Sequence, residues 1–169
     1  MDPAFFHPEH LHVMLNHFPI ILLLIVPPIL LAALFFDQKS ILAVGFSLAL
    51  LADLMTPVVM ETGESAHTRF EMGQIKPPLD EDGDIAAEMH EDMAKKAAPL
   101  IYLVGFAAIA GLLILRFRPN WRKPAAFAVI ATSIVASIFT LQSAQLGGRI
   151  RHPEFRPAKP ANPNHIRND

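Results

Sequence analysis

The chain of 169 residues has no cysteine. It therefore forms no disulfide, thiolate metal site or iron–sulfur cluster of its own. Charge is scarce as well, with only 18% of residues Asp, Glu, Lys or Arg against 52% hydrophobic. Four stretches lack it almost entirely. Residues 18–36, 97–115 and 124–148 carry no Asp, Glu, Lys, Arg or His, and residues 41–60 carry only Asp53. No Lys or Arg precedes Lys39, so the first apolar run reads as a retained span rather than a cleaved leader. No nucleophile elbow, phosphate loop or zinc-protease signature occurs, so the sequence names no catalysis. Nothing in it suggests nucleic-acid binding.

What is present is length and apolarity. A helix needs roughly 20 apolar residues to cross a bilayer, and each run is about that long. The expected fold is all-α: an integral membrane, up-and-down four-helix bundle over residues 1–152. Its spans lie near 18–36, 41–60, 97–115 and 124–148, and an irregular tail follows at 153–169. The mean hydropathy of +0.35 agrees. The connections 37–40 and 116–123 are short and basic, whereas 61–96 is acidic. The positive-inside tendency then predicts a multi-pass protein of the bacterial inner membrane with both termini on the periplasmic side. Pro27, Pro28 and Pro57 are expected to kink their helices. Pro57 also leaves the Asp53 carbonyl without its helical donor. Asp53 is thus a candidate for proton movement, with a neutral carboxyl bonded across the bundle as the plainer alternative. The stripe Ala128, Thr132, Ala136, Thr140, Ala144 marks a close-packing face, within the bundle or in a homodimer. The acids Asp80, Glu81, Asp82 and Asp84 suit a helix start better than a calcium loop.

All eight histidines fall at one end of these spans. His7, His10 and His165 lie in polar flanks and are expected to be solvated. His12, His67, His90 and His152 come one from each helix at similar height, about 10 Å above the hydrocarbon edge or slightly lower for His152. His17 lies about 7.5 Å deeper than His12 and roughly 140° around the helix from it. Imidazoles so gathered suggest haem b on axial ligands or a non-haem metal. Glu64 and His67, like Glu9 and His12, have the Glu-x-x-His spacing of di-iron bundles. Met14, Met60, Met72, Met89 and Met93 share this end and suit copper; zinc is the remaining metal reading. Glu64 and Glu88 are the expected partners of the ligands' second nitrogens.

The segment His12-Val13-Met14-Leu15-Asn16-His17-Phe18-Pro19-Ile20 resembles the opening of a bacterial membrane family, domain of unknown function 2231. That opening is His-Pro-x-x-x-His-Phe-Pro, with Val13 here in place of the proline. Thr62-Gly63, His90 and the exit Gly147-Gly148-Arg149-Ile150-Arg151-His152 match further features of the family. The resemblance covers the whole bundle. It implies redox work at a membrane, since relatives are joined to Rieske-type modules, and it favours His17 and His90 as ligands. The resulting expectation is a small b-type cytochrome, with haem held by His12, His17, His67, His90 and His152. It would pass electrons from a quinol to a redox protein at the outer face. The alternatives are a copper, zinc or di-iron binding protein, and a structural or assembly subunit without cofactor.

Overall fold

The computed structural model describes residues 6–157, which places His165 and the end of the tail outside the described residues. Five helices follow in order: α1 Pro8–Leu15, α2 His17–Phe35, α3 Lys39–Glu71, α4 Glu81–Phe117 and α5 Arg122–Arg151. Only Asn16, itself in a right-handed helical conformation, separates α1 from α2. No strand occurs among the described residues. Four helices, counting α1 and α2 together, are long and apolar enough to cross a membrane. The helices run through Pro27, Pro28 and Pro57 without interruption.

Local chemistry fixes the ends. Asp80 caps α4 by accepting from the Gly83 amide at 3.0 Å, with Glu81, Asp82 and Asp84 in the first turn beside the helix dipole. At the other end of the bundle, Asp37 takes φ +51 and receives the Arg122 guanidinium at 2.8 Å, tying the two short turns together. Inside, the packing is close and the residues small. Ala49, Ala52, Ala108, Ser133 and Ala136 are fully buried among Leu23, Val26, Leu30 and Phe46. The outside is apolar too, with Phe106 72% and Leu54 61% exposed. The bundle is thus apolar on its outer face as well as inside, as helices long and apolar enough to cross a membrane are.

The helices form a ring. α2 packs on α3 and α4 on α5 within two hairpins, α3 on α4 and α2 on α5 between them, while α3 and α5 touch less, across the middle. The two hairpins correspond residue by residue. Along α2 and α4, buried positions match at one constant offset: Pro19 with Ala97, Leu23 with Ile101, Val26 with Val104, Leu30 with Ala108, Ala33 with Gly111. Along α3 and α5 a second constant offset matches Leu42 with Ala126, Phe46 with Ile130, Ala49 with Ser133, Ala52 with Ala136 and Thr56 with Thr140. The small-residue stripe of α5 drifts around its helix accordingly. Ala136 and Thr140 face the core, whereas Ala128 is exposed.

Candidate functional site

Two of the predicted histidines meet. The His12 and His90 rings lie 6.0 Å apart between centroids, nearly perpendicular at 75°. They occupy equivalent places, since the offset that matches Pro19 to Ala97 also matches His12 to His90. Each Nδ1 is held by a main-chain carbonyl of the partner helix in its own hairpin. His12 Nδ1 lies 3.0 Å from the Val59 oxygen, and His90 Nδ1 2.7 Å from the Ser143 oxygen. A carbonyl only accepts, so both Nδ1 atoms carry the proton and donate. The two Nε2 lone pairs are left for a ligand. The Ser143 hydroxyl adds a contact to His90 Nδ1 at 3.1 Å and donates to the His90 carbonyl at 3.4 Å.

Glycine makes these contacts possible. A helical side chain leans over the preceding turn, so the residue four after a carbonyl shields it. Four after Val59 stands Gly63, and four after Ser143 stands Gly147. A Cβ on Gly63 would come within 2.8 Å of His12 Cε1, and one on Gly147 within 3.2 Å of His90 Cε1 and Nδ1. Below the rings lies a cavity of about 70 Å3, bordered by both histidines, Asn16, Met60, Thr56 and Thr140. The remaining wall is apolar, chiefly the Ala residues of α4 with Pro19 and Ile20. Asn16 points a buried Oδ1 that has no hydrogen-bond partner.

The other expected ligands stand apart. His17 is exposed, and its Nδ1 donates to the Val13 carbonyl of α1, one turn back along the chain, at 2.8 Å. The angular separation from His12 puts it on the far face, so it does not join His90. His67 lies near Glu71 and Glu91, with N–O separations of 3.5 and 3.7 Å. His152 falls beyond the end of α5, exposed beside Glu154 at 2.9 Å. The layer of four imidazoles at one height is therefore a pair, because equal height does not set equal azimuth. Glu64 and Glu88 are exposed, and the second nitrogens of the ligand pair go to carbonyls instead. Glu9, from the second Glu-x-x-His match, pairs with Arg69 at 3.1 Å, at an angle that makes it an ion pair rather than a hydrogen bond. Among the described residues no three His, Asp or Glu side chains converge on a metal-sized site, so no di-iron or three-ligand zinc set is assembled.

The sequence signal for this seat is the pattern Ala-x3-Thr-x6-Gly, present as Ala52, Thr56, Gly63 and again as Ala136, Thr140, Gly147. In each copy the Thr hydroxyl bonds back to the Ala carbonyl, at 2.8 and 2.6 Å. Compared with known protein families, curated proteins and solved structures, the chain matches none.

The donors fit an ion that takes two neutral imidazoles and a thioether. They also fit the axial needs of haem iron, since two metal–nitrogen bonds of about 2.0 Å would hold facing rings roughly 6 Å apart. The space is a half-open cleft, smaller than a porphyrin as the helices stand. A cavity of about 70 Å3 is the size of an ion with a small companion, far below the ~300 Å3 where organic-ligand pockets begin.

Proposed function

We propose that this is a membrane-spanning metal-binding protein that holds monovalent copper between His12 and His90. The observation that carries the reading is the pair of imidazoles, each pinned through Nδ1, facing an ion-sized apolar cavity bordered by Met60. Imidazole and thioether are the donors that suit copper in its lower oxidation state. Charge points the same way. No carboxylate borders the cavity, and a divalent ion held by neutral donors costs about four times the Born energy of a monovalent one. We place the histidine end on the side away from the basic turns at Lys39 and Arg116–Lys123, the periplasmic side of a bacterial inner membrane. The carbonyls of Val59 and Ser143 orient the rings and make the Nε2 atoms better donors. The open end of the bundle gives the ion its entry.

Haem is the second reading, favoured by the ring spacing and by the resemblance of the first span to a family associated with redox modules. It requires the helices to part around the macrocycle. One experiment separates the two. The chain is purified in detergent from cells supplied with both copper and haem precursors, and its spectrum and metal content are measured. The expected result is one copper per chain, competed away by a cuprous-selective chelator, with no Soret band. A Soret band lost in the His12→Ala and His90→Ala variants would select haem. Neither signal would leave a structural subunit.

A further inference from the structure

Deeper in the bundle lies a second polar position that the copper reading does not use. Asp53 is the only ionisable side chain of residues 41–60, on α3, and it lies flat against α4 at Gly105. A Cβ on Gly105 would fall 2.2 Å from the Asp53 Cγ, so only glycine leaves room for the carboxyl in this seam. The side chain makes no hydrogen bond or ion pair among the described residues. Its main-chain carbonyl is also without a helical donor, because residue four ahead is Pro57, which has no N–H. Thr56, three residues further along α3, and Ile101, four before Gly105, both border the cavity under the histidines. Asp53 is thus one helical turn, about 5 Å along the axis, below the cavity floor.

The surroundings leave few ways to neutralise a charge there. The spans packed against α3 bring no Lys, Arg, His, Asp or Glu from residues 18–36, 97–115 or 124–148, and Tyr102 is their one titratable side chain. An ionised carboxylate alone at that depth in hydrocarbon is strongly disfavoured. It must carry a proton or hold a cation. Asp53 is half-buried; the corresponding position in the second hairpin is Ser137, buried and with an unpartnered hydroxyl, so the fold does not need a carboxyl at this place. We propose that the Asp53 carboxyl is a proton-binding site at the seam of α3 and α4, one helical turn from the cavity at the histidine end. The proposal rests on the bundle spanning a membrane and is independent of which metal the histidines hold.

The test is reaction with dicyclohexylcarbodiimide, on the full chain in lipid nanodiscs, followed by peptide mapping. The reagent adds across the O–H of a protonated carboxyl: the acid proton passes to a reagent nitrogen, and the oxygen bonds to the central carbon. Rearrangement then gives a stable acylurea of the same mass. The expected outcome is a single adduct on Asp53, absent from Asp53→Asn. Its rate should fall by about tenfold per pH unit once the pH exceeds the ionisation point of the group. No adduct, or a rate constant from about pH 5 to about pH 9, overturns the proposal. Sodium slowing the reaction at fixed pH also overturns it, assigning the oxygens to a metal cation instead. A water-soluble carbodiimide reacting equally fast puts the carboxyl in water and sinks the membrane reading along with the proton site. Repeating the mapping on His12→Ala should leave the adduct unchanged, so failure of the copper reading and failure of this one are told apart.

Discussion

The two hairpins share a frame and differ in what they hang on it. Both place a histidine at the start of the first span, seat it on a carbonyl exposed by a glycine, and bend a threonine back onto an alanine one turn deeper. They differ where chemistry enters. Asn16 and Met60 of the first hairpin correspond to Ala94 and Ala144 of the second, and all four border the cavity. Val59 corresponds to Ser143, whose hydroxyl gives His90 an anchor that His12 lacks. Positions that bring backbones together tolerate little besides small residues, so they stay alike, while positions that only line space are free to diverge. The site is therefore symmetric in its imidazoles and one-sided in its soft and amide groups.

That comparison is broken most directly at the imidazoles. Replacing His12 or His90 by Ala should weaken copper binding by roughly 100-fold or more, about 2.8 kcal/mol, read by competition with a cuprous chelator. Equivalence predicts losses within about threefold of each other, scarcely distinct on that scale. His17→Ala, His67→Ala and His152→Ala should leave the affinity unchanged. A loss at any of these three equal to that at His90 would mean that the pair is wrongly chosen.

The glycine seats come next. Gly63→Ala puts a methyl 2.8 Å from the His12 ring and forces it off the Val59 carbonyl, which should cost about tenfold in affinity, as loss of an orienting partner does. Gly147→Ala meets His90 at 3.2 Å, a clash that a few tenths of an ångström relieve, so its effect should be about threefold at most. The order would reverse if the Ser143 hydroxyl holds His90 too firmly to move, and metal titration of both variants decides it. Neither should unfold the bundle, because Ala is the better helix former by about 1 kcal/mol.

A smaller and more pointed change concerns the thioether. Met60→Leu keeps the volume and removes the soft donor, with an expected loss of up to about tenfold for monovalent copper and none for zinc. The double variant Met60→Ala, Ala144→Met moves the sulfur to the corresponding place on α5. If the hairpins are equivalent in shape, it should restore affinity to within about threefold of the natural chain. Failure to recover, with folding intact by circular dichroism, would confine the equivalence to the imidazoles.

How much of this was legible in the sequence follows from the kind of signal each feature leaves. The four spans were, because absence of charge over a bilayer's width is a property of composition and survives any rotation of the helix. The capping role of Asp80 was, since the acids precede the run they start. That the histidines fall at one end of the helices was also legible, as order along the chain is a matter of counting. Azimuth was not. His67 and His152 lie at the same end as the pair, but α3 turns the one toward Glu91 and α5 ends before the other. His17, strongest by motif, follows the Asn16 step between α1 and α2 and faces outward. Gly63 and Gly147 stood out through the family resemblance, but their role as seats was not legible, because the repeated Ala-x3-Thr-x6-Gly is too sparse to read until the contacts explain its spacing.

The least perturbing prediction tests the mouth of the bundle, where each hairpin has its own ionic clasp. In the first, Glu9 of α1 faces Arg69 near the end of α3. In the second, Arg156 grips Asp80 with two hydrogen bonds, of 2.6 and 2.9 Å, and also donates to the carbonyls of Arg149 and Ile150 that end α5. Gly83 leaves the room for this, since a Cβ there would lie 2.9 Å from the Ile150 oxygen. The Arg156 guanidinium holds the Asp80 carboxyl below the ordinary carboxylate range, first by hydrogen bonding and then by charge. A depressed folded value means the contribution is present at neutral pH and lost as pH falls through the usual range near 4 and below. Asp80→Asn keeps a good helix cap and deletes only the ion pair. Amides of residues 149–156 should then exchange hydrogen faster at neutral pH, and their further loosening below about pH 4 should disappear. Copper affinity should not change, because the imidazoles are seated by carbonyls and glycines of the helices, not by the tail. A fall in affinity in Asp80→Asn would show instead that the second clasp holds His90 in place, making the two ends of that hairpin one unit.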